Sequence, residues 1–302
     1  MDTKKIINQI SQLKKEKNAI LLVHNYQRKE IQDIADLLGD SLDLSKRAGQ
    51  TPHQTIVFCG VRFMAETAKI LSPEKTVLLP QPNASCPMAA MADTEGLRKL
   101  KAKNPEACVV TYINSTAEVK AESDVCCTSA NAISVVQNIK ARKVIFAPDK
   151  HLASWVQRFT DKTIIPWDGY CYVHNQFSEE EVLQARKSHP NAVFMVHPEC
   201  PKEVADLADH VLSTSGMVRT AKESDAAVFV VGTEEGMLYR LKAENPEKQF
   251  FSLGTPKTCR GMKVTQIQNV HQALLKNQYE IILDEALMDK ARSALQRMLL
   301  YV

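Results

Sequence analysis

The amino-acid sequence predicts an α/β protein made of three homologous αβα sandwich domains, with parallel sheets arranged about a pseudo-threefold axis. Three observations carry this prediction. Short β-branched runs alternate with longer helical patterns along the whole 302-residue chain. These runs are apolar throughout, as strands are when helices cover both faces of a parallel sheet. The residues at the strand ends also recur at intervals of 84 to 88 positions.

The chain opens with apolar residues and lysines at helical spacing from Asp2 to Lys17. This segment lacks the apolar core of a signal peptide. Strands follow at Ala19 to Val23, Thr55 to Cys59, Thr76 to Leu79, Cys108 to Tyr112, Lys143 to Ala147, Thr163 to Ile165, Ala192 to Val196 and Ala226 to Val231, with amphipathic helices between them. Leu283 to Leu300 reads as a closing helix. His24, Tyr112 and His197 stand at the ends of first strands, 88 and then 85 residues apart, and the hydroxyl residues Ser41, Ser129 and Thr214 repeat the same two steps. Cys59, Ala147 and Val231 end third strands at steps of 88 and 84, and Cys86, Cys171 and Cys259 follow the fourth at 85 and 88. Each unit reads as a βαβαβα sandwich, giving domains at 1–103, 104–188 and 189–302. Units this small share interfaces instead of folding as independent beads.

Apolar residues make up 44% and charged residues 24% of the chain, an ordinary globular balance that excludes disordered, collagen-like and coiled-coil readings. The formal charge of +3, from 38 basic and 35 acidic residues, gives no reason to expect nucleic acid or an anionic membrane as partner. No run approaches the roughly 18 apolar residues of a membrane span. The expected location is the cytoplasm, where the eight cysteines stay reduced.

Ligands of parallel sheets bind beyond the carboxyl ends of the strands, where helix N-termini present free N–H groups. A pseudo-threefold arrangement brings His24, Tyr26, Tyr112, Asn114, His197 and Glu199 together with Ser41, Ser129 and Thr214 in one polar pocket. The three hydroxyl residues each precede a helical pattern and read as N-caps, a position that also suits an anion. Cys59, Cys108, Cys126 and Cys127 lie in apolar strands and read as small core residues. Cys86, Cys171 and Cys259 lie in loops, one per unit, and form a triangle of soft ligands suited to zinc or to an iron-sulfur cluster with one open coordination site. Cys200 breaks the repeat and is not counted as a ligand.

The ordered motifs His24-Asn25-Tyr26-Gln27, Gly39-Asp40-Ser41-Leu42, Cys86-Pro87-Met88-Ala89, Thr111-Tyr112-Ile113-Asn114, Cys127-Thr128-Ser129-Ala130-Asn131, Cys171-Tyr172-Val173-His174, His197-Pro198-Glu199-Cys200, Ser213-Thr214-Ser215-Gly216 and Thr258-Cys259 span nearly the whole chain. Together they resemble the quinolinate synthase family of NAD biosynthesis. The resemblance implies a pseudo-threefold assembly with the active site at the common interface. It implies a [4Fe-4S] cluster on Cys86, Cys171 and Cys259, its fourth iron open as a Lewis acid. The implied transferase reaction condenses iminosuccinate with dihydroxyacetone phosphate to give quinolinate, phosphate and water, with functional coupling to the enzyme that supplies iminosuccinate.

By the same resemblance Glu199 is the general base, assisted by Tyr26 and His197. His24, Ser41, Tyr112, Asn114, Ser129, Ser213 and Thr214 hold the substrate carboxylates and phosphate, with His197 and Glu199 in contact as well, and His174 meets substrate or sulfur. Some members carry a Cys-x-x-Cys-x-x-Cys run at the last ligand. Here the run is Cys259-Arg260-Gly261-Met262, so no disulfide switch is expected at that place.

Two other readings follow from the residues alone. Three thiolates and a water make a zinc hydrolase, and helix N-termini without a metal make a non-catalytic module for a small dianion. No GxGxxG follows a strand, which argues against a Rossmann oxidoreductase.

Overall fold

The structure, a computed structural model, describes residues 3–301. Met1, Asp2 and Val302 lie outside the described residues, and with them the first position of the expected opening helix.

Among the described residues, twelve strands form three four-stranded sheets. The first holds β1 (Ala19–His24), β2 (Leu37–Gly39), β3 (Thr55–Cys59) and β4 (Thr76–Leu78). The second holds β5 (Cys108–Tyr112), β6 (Val125–Cys127), β7 (Lys143–Ala147) and β8 (Thr163–Pro166), and the third β9 (Val193–Val196), β10 (His210–Val211), β11 (Val228–Gly232) and β12 (Gln249–Ser252). Each sheet is parallel throughout and repeats one order, with its second strand outermost, then its first, third and fourth. Helices cover both faces, so β1 and β3 are buried at every position. This is the predicted α/β class of three αβα units.

Each unit has the four strands that the strand-end markers count, one more than a βαβαβα sandwich holds. The additional strands β2, β6 and β10 span only two or three residues, too few to carry a period, although their ends were marked by the repeat. The edge strand β12 was also missed, because Gln249 and Phe251 face solvent and break the apolar run.

The terminal helices fasten the units together. Helix Thr3–Glu16 buries Ile6 and Ile10 in one cluster with Leu21, Val23 and Val57 of the first sheet and with Val270 and Leu274 of helix Ile267–Lys276. Helix Glu285–Met298 buries Met288, Ala291, Ala294, Leu295 and Met298 along one stripe against helices Arg62–Leu71 and Ala117–Ala121 and strand β6, spanning the first two units.

The expected caps are displaced. Asp40, not Ser41, caps helix Ser41–Gln50, its Oδ1 accepting from the Leu42 and Asp43 amides at 2.9 and 3.0 Å. Ser213, not Thr214, caps helix Thr214–Glu223 by accepting from the Gly216 amide at 3.2 Å. Both caps have the extended backbone that aims a short side chain at the second and third N–H groups, whereas Ser41 and Thr214 already turn helically. Helix Ala132–Asn138 starts beyond Ser129, with Asn131 in the cap position.

Candidate active site

The carboxyl ends of the three sheets face one cavity. One register offset recurs there: His24 pairs with Gly39, Tyr112 with Cys127 and Val196, the residue before His197, with Val211, so each second strand releases its polar loop beside the end of the first. The wall includes His24, Tyr26, Ser41 and Cys86 from the first unit, Tyr112, Asn114, Ser129, Cys171 and His174 from the second, and His197, Glu199, Thr214 and Cys259 from the third. Of the candidate catalytic, substrate-binding and metal-binding residues, Ser213 alone stays outside this wall, as a helix cap.

Glu199 is the hub of the polar side. It is buried, and Tyr112 donates its hydroxyl to Oε1 at 2.5 Å. Nδ1 of His174 lies 2.7 Å from Oε2, within ion-pair reach, and this nitrogen has no hydrogen-bond partner. Burial acts to raise the Glu199 carboxyl, yet the His197 and His174 rings and the Tyr112 hydroxyl outweigh it and hold the group below the ordinary carboxylate range. His174 Nε2 meets Thr233 Oγ1 at 2.8 Å, and the same hydroxyl meets Tyr26 at 2.5 Å. Thr233 thereby links Tyr26 to the Glu199 cluster.

Two histidines are neutral. The Tyr26 amide donates to His24 Nδ1 at 3.1 Å, and the Glu199 amide donates to His197 Nδ1 at 3.4 Å. An acceptor Nδ1 places the proton on Nε2, which in His197 lies 3.2 Å from Ser129 Oγ. Burial pushes both rings down to about 3, so neither carries charge at neutral pH. Burial and the Glu199 charge raise the Tyr26 and Tyr112 phenols well above their usual range, and both stay protonated donors.

The cysteines share a local design. Cys86 and Cys259 stand just before the short helices Pro87–Ala90 and Arg260–Lys263, and Cys171 before the turn leading into His174–Gln176. Backbone N–H groups two or three residues on point at each sulfur: Met88 and Ala89 at Cys86, His174 at Cys171, Gly261 and Met262 at Cys259. Gly261 is required by the crowding of these loops, since a Cβ there would lie 2.0 Å from the Ser85 carbonyl oxygen.

The family model for NadA, quinolinate synthetase A protein, matches residues 8–300. The chain belongs to the quinolinate synthase family. It is 52% identical to the quinolinate synthase of Methanoregula boonei over 298 residues, covering 99% of both chains. It is 51% identical to that of Thermodesulfovibrio yellowstonii over 294 residues, 97% of each, and 51% identical to that of Alkaliphilus metalliredigens over 300 residues, 99% of each. Among the described residues no helix is long and apolar enough to cross a membrane.

The donor set fits the iron-sulfur cofactor expected of a quinolinate synthase. Three unpaired thiols come from three units, Cys86 and Cys171 lie close enough to the other sulfurs for a thiolate there to oppose their ionisation, and each has N–H donors at its sulfur, a feature that stabilises cluster thiolates. Burial pushes the Cys86 thiol up to about 12, and Cys171 and Cys259 also upward, so metal binding displaces protons. Cys200 is buried with its Sγ against the Gly232 carbonyl.

Sequence reasoning missed Thr233, Asp149, Glu234 and Asn25. Asp149 and Glu234 are 85 residues apart, each two residues beyond a third strand, so the same repeat pointed to them.

Proposed function

We propose that this member of the quinolinate synthase family condenses iminosuccinate with dihydroxyacetone phosphate, releasing phosphate and water, on a [4Fe-4S] cluster held by Cys86, Cys171 and Cys259. The observation that carries this reading is the placement of one thiol from each unit on the wall of the cavity that holds Glu199. As a condensation with loss of phosphate it is a transferase step of NAD biosynthesis, and reduced thiols around such a cluster suit the cytoplasm.

The bound cluster supplies an open iron that acts as a Lewis acid on a substrate heteroatom. The chain's own groups supply the rest. Glu199, ionised and aligned by Tyr112, is the general base. Tyr26, protonated and connected through Thr233 to His174, donates to departing oxygen. The neutral His197 moves a proton between Ser129 and the cavity through Nε2. The N-terminal turns of helices Ser41–Gln50 and Thr214–Glu223 attract the substrate's anionic groups, and the Asn114 side-chain oxygen, buried without a partner, accepts from a substrate N–H or hydroxyl. Iminosuccinate is a labile imine, so supply by a neighbouring enzyme completes the scheme.

Anaerobic purification with iron and sulfide analysis tests the proposal. About four of each per chain is expected, lost on Cys86→Ser, Cys171→Ser or Cys259→Ser. Zinc without sulfide, lost on Cys86→Ser or Cys259→Ser as well as on Cys171→Ser, would support a three-thiolate hydrolase instead.

A further inference from the structure

Cys171, His174 and Glu199 bring a sulfur, an imidazole nitrogen and a carboxylate oxygen within 4.8 Å of one another. His174 is 1% exposed and Glu199 3%. His174 Nε2 is engaged by Thr233 Oγ1 at 2.8 Å, which holds the ring from behind, while Nδ1 faces Glu199 Oε2 with no directed hydrogen bond. A metal-ligating histidine has this form, with one nitrogen fixed by an outer partner and the other offering its lone pair. Glu199 is held the same way, because Tyr112 occupies Oε1 and leaves Oε2 toward the histidine. Cys171 and His174 have C-x-x-H spacing, and the His174 amide points at the Cys171 sulfur. A thiolate and a carboxylate neutralise a divalent cation, so the filled site carries no net buried charge. Sulfur, nitrogen and oxygen donors together favour zinc over magnesium or calcium.

We propose that the cluster-free protein binds one zinc-type cation through Cys171 Sγ, His174 Nδ1 and Glu199 Oε2, with water as fourth ligand. The Cys171 thiol gives its proton to solvent as the metal–sulfur bond forms. This site differs from the three-thiol set in using only one of its members. Cys171 cannot serve both, so the cation and the cluster exclude each other, and zinc blocks cluster assembly. The cation site itself does not depend on the cluster reading.

Full-length protein stripped of metal is titrated anaerobically with cobalt(II), then with zinc. One equivalent of cobalt is expected, with a thiolate-to-cobalt charge-transfer band and visible bands of tetrahedral intensity that zinc abolishes. The double variant Cys86→Ser/Cys259→Ser keeps both the band and the affinity. Cys171→Ser loses the band. His174→Gln and Glu199→Gln weaken binding at least tenfold, and Thr233→Ala, which removes the outer partner, weakens it about tenfold. At one fixed concentration zinc also raises the melting temperature of the wild type more than that of His174→Gln, and the metal-free melts of all variants show that each is folded. Zinc-loaded wild type takes up no iron or sulfide until a chelator is added, whereas metal-free wild type takes up both. Loss of the cobalt band in the Cys86→Ser/Cys259→Ser protein, or unchanged affinity in both His174→Gln and Glu199→Gln, overturns the assignment. Failure of metal-free protein to take up iron and sulfide, with cobalt still bound as described, contradicts the cluster reading and leaves the cation site standing.

Discussion

The carboxylate of Asp149 accepts a hydrogen bond from the Cys171 amide at 3.2 Å. Its other oxygen caps helix Lys150–Gln157 through the Leu152 amide at 2.7 Å. Glu234 repeats the arrangement in the third unit, accepting from the Cys259 amide at 3.0 Å and the Gly236 amide at 2.7 Å. The equivalent position in the first unit is Val61, and there the backbone alone ties strand to loop, the Arg62 amide donating to the Ala84 carbonyl at 2.9 Å.

Asp149→Ala removes a cap and leaves two N–H groups without their acceptor. Destabilisation of the cluster-free protein by about 2 kcal/mol is expected in urea, together with reduced iron uptake. An unchanged unfolding midpoint would remove Asp149 from this role.

A second chain of bonds has a fixed direction. Arginine only donates, so the 2.5 Å contact from Arg240 Nη1 assigns the Asn25 oxygen as acceptor and turns the Asn25 NH2 group to Thr214 Oγ1 at 2.7 Å. Thr214 therefore accepts from Asn25 and keeps its own proton for another acceptor. Asn25→Asp puts an acceptor against Thr214 and draws that proton away from the cavity. The KM for dihydroxyacetone phosphate should rise about tenfold with a smaller change in kcat, measured at steady state. Equal KM values would show that Thr214 does not donate to the phosphate.

Tyr112→Phe deletes the 2.5 Å donor to Glu199 and lets the carboxyl pKa rise. A general base works deprotonated, so activity is lost as pH falls through that pKa. The acidic limb of the kcat profile is expected to move up by about one unit in the variant. A limb that stays in place assigns it to another group.

His24 and His197 give the fold an acid weakness. Their pKa falls from the ordinary 6.5 to about 3 on folding, so between those values the unfolded chain binds more protons and stability rises with pH. The stability contributed is complete above pH 6.5 and lost as pH falls toward 3. Each ring contributes a slope of about 1.4 kcal/mol per pH unit. His24→Gln should reduce the slope measured by urea unfolding between pH 4 and 6 by about one proton, and an identical slope would show that His24 is protonated in the folded state.

Much of the fold and most of the cavity wall were legible in the sequence because three sheets share one order and one register. His24, Tyr112 and His197 sit at equivalent strand ends, and a period of 84 to 88 residues made them visible. What stayed hidden lies where the symmetry or the local pattern fails. Strand β10 spans two residues, too few for a periodicity. Asp40 and Ser213 took the caps because capping depends on backbone angles one residue from the hydroxyls that the repeat aligned. Asp149 and Glu234 were masked by Val61, the apolar residue at the third equivalent position. Asn25 meets Thr214 across 189 residues, and only the folded chain shows that contact.

Quinolinate formation by protein loaded with iron and sulfide without oxygen tests the central claim most directly. With iminosuccinate generated in place and dihydroxyacetone phosphate added, quinolinate and phosphate should appear in equal amounts, and both should vanish in Glu199→Gln protein that carries a full cluster. Phosphate release without quinolinate, or undiminished quinolinate from Glu199→Gln, would contradict the account.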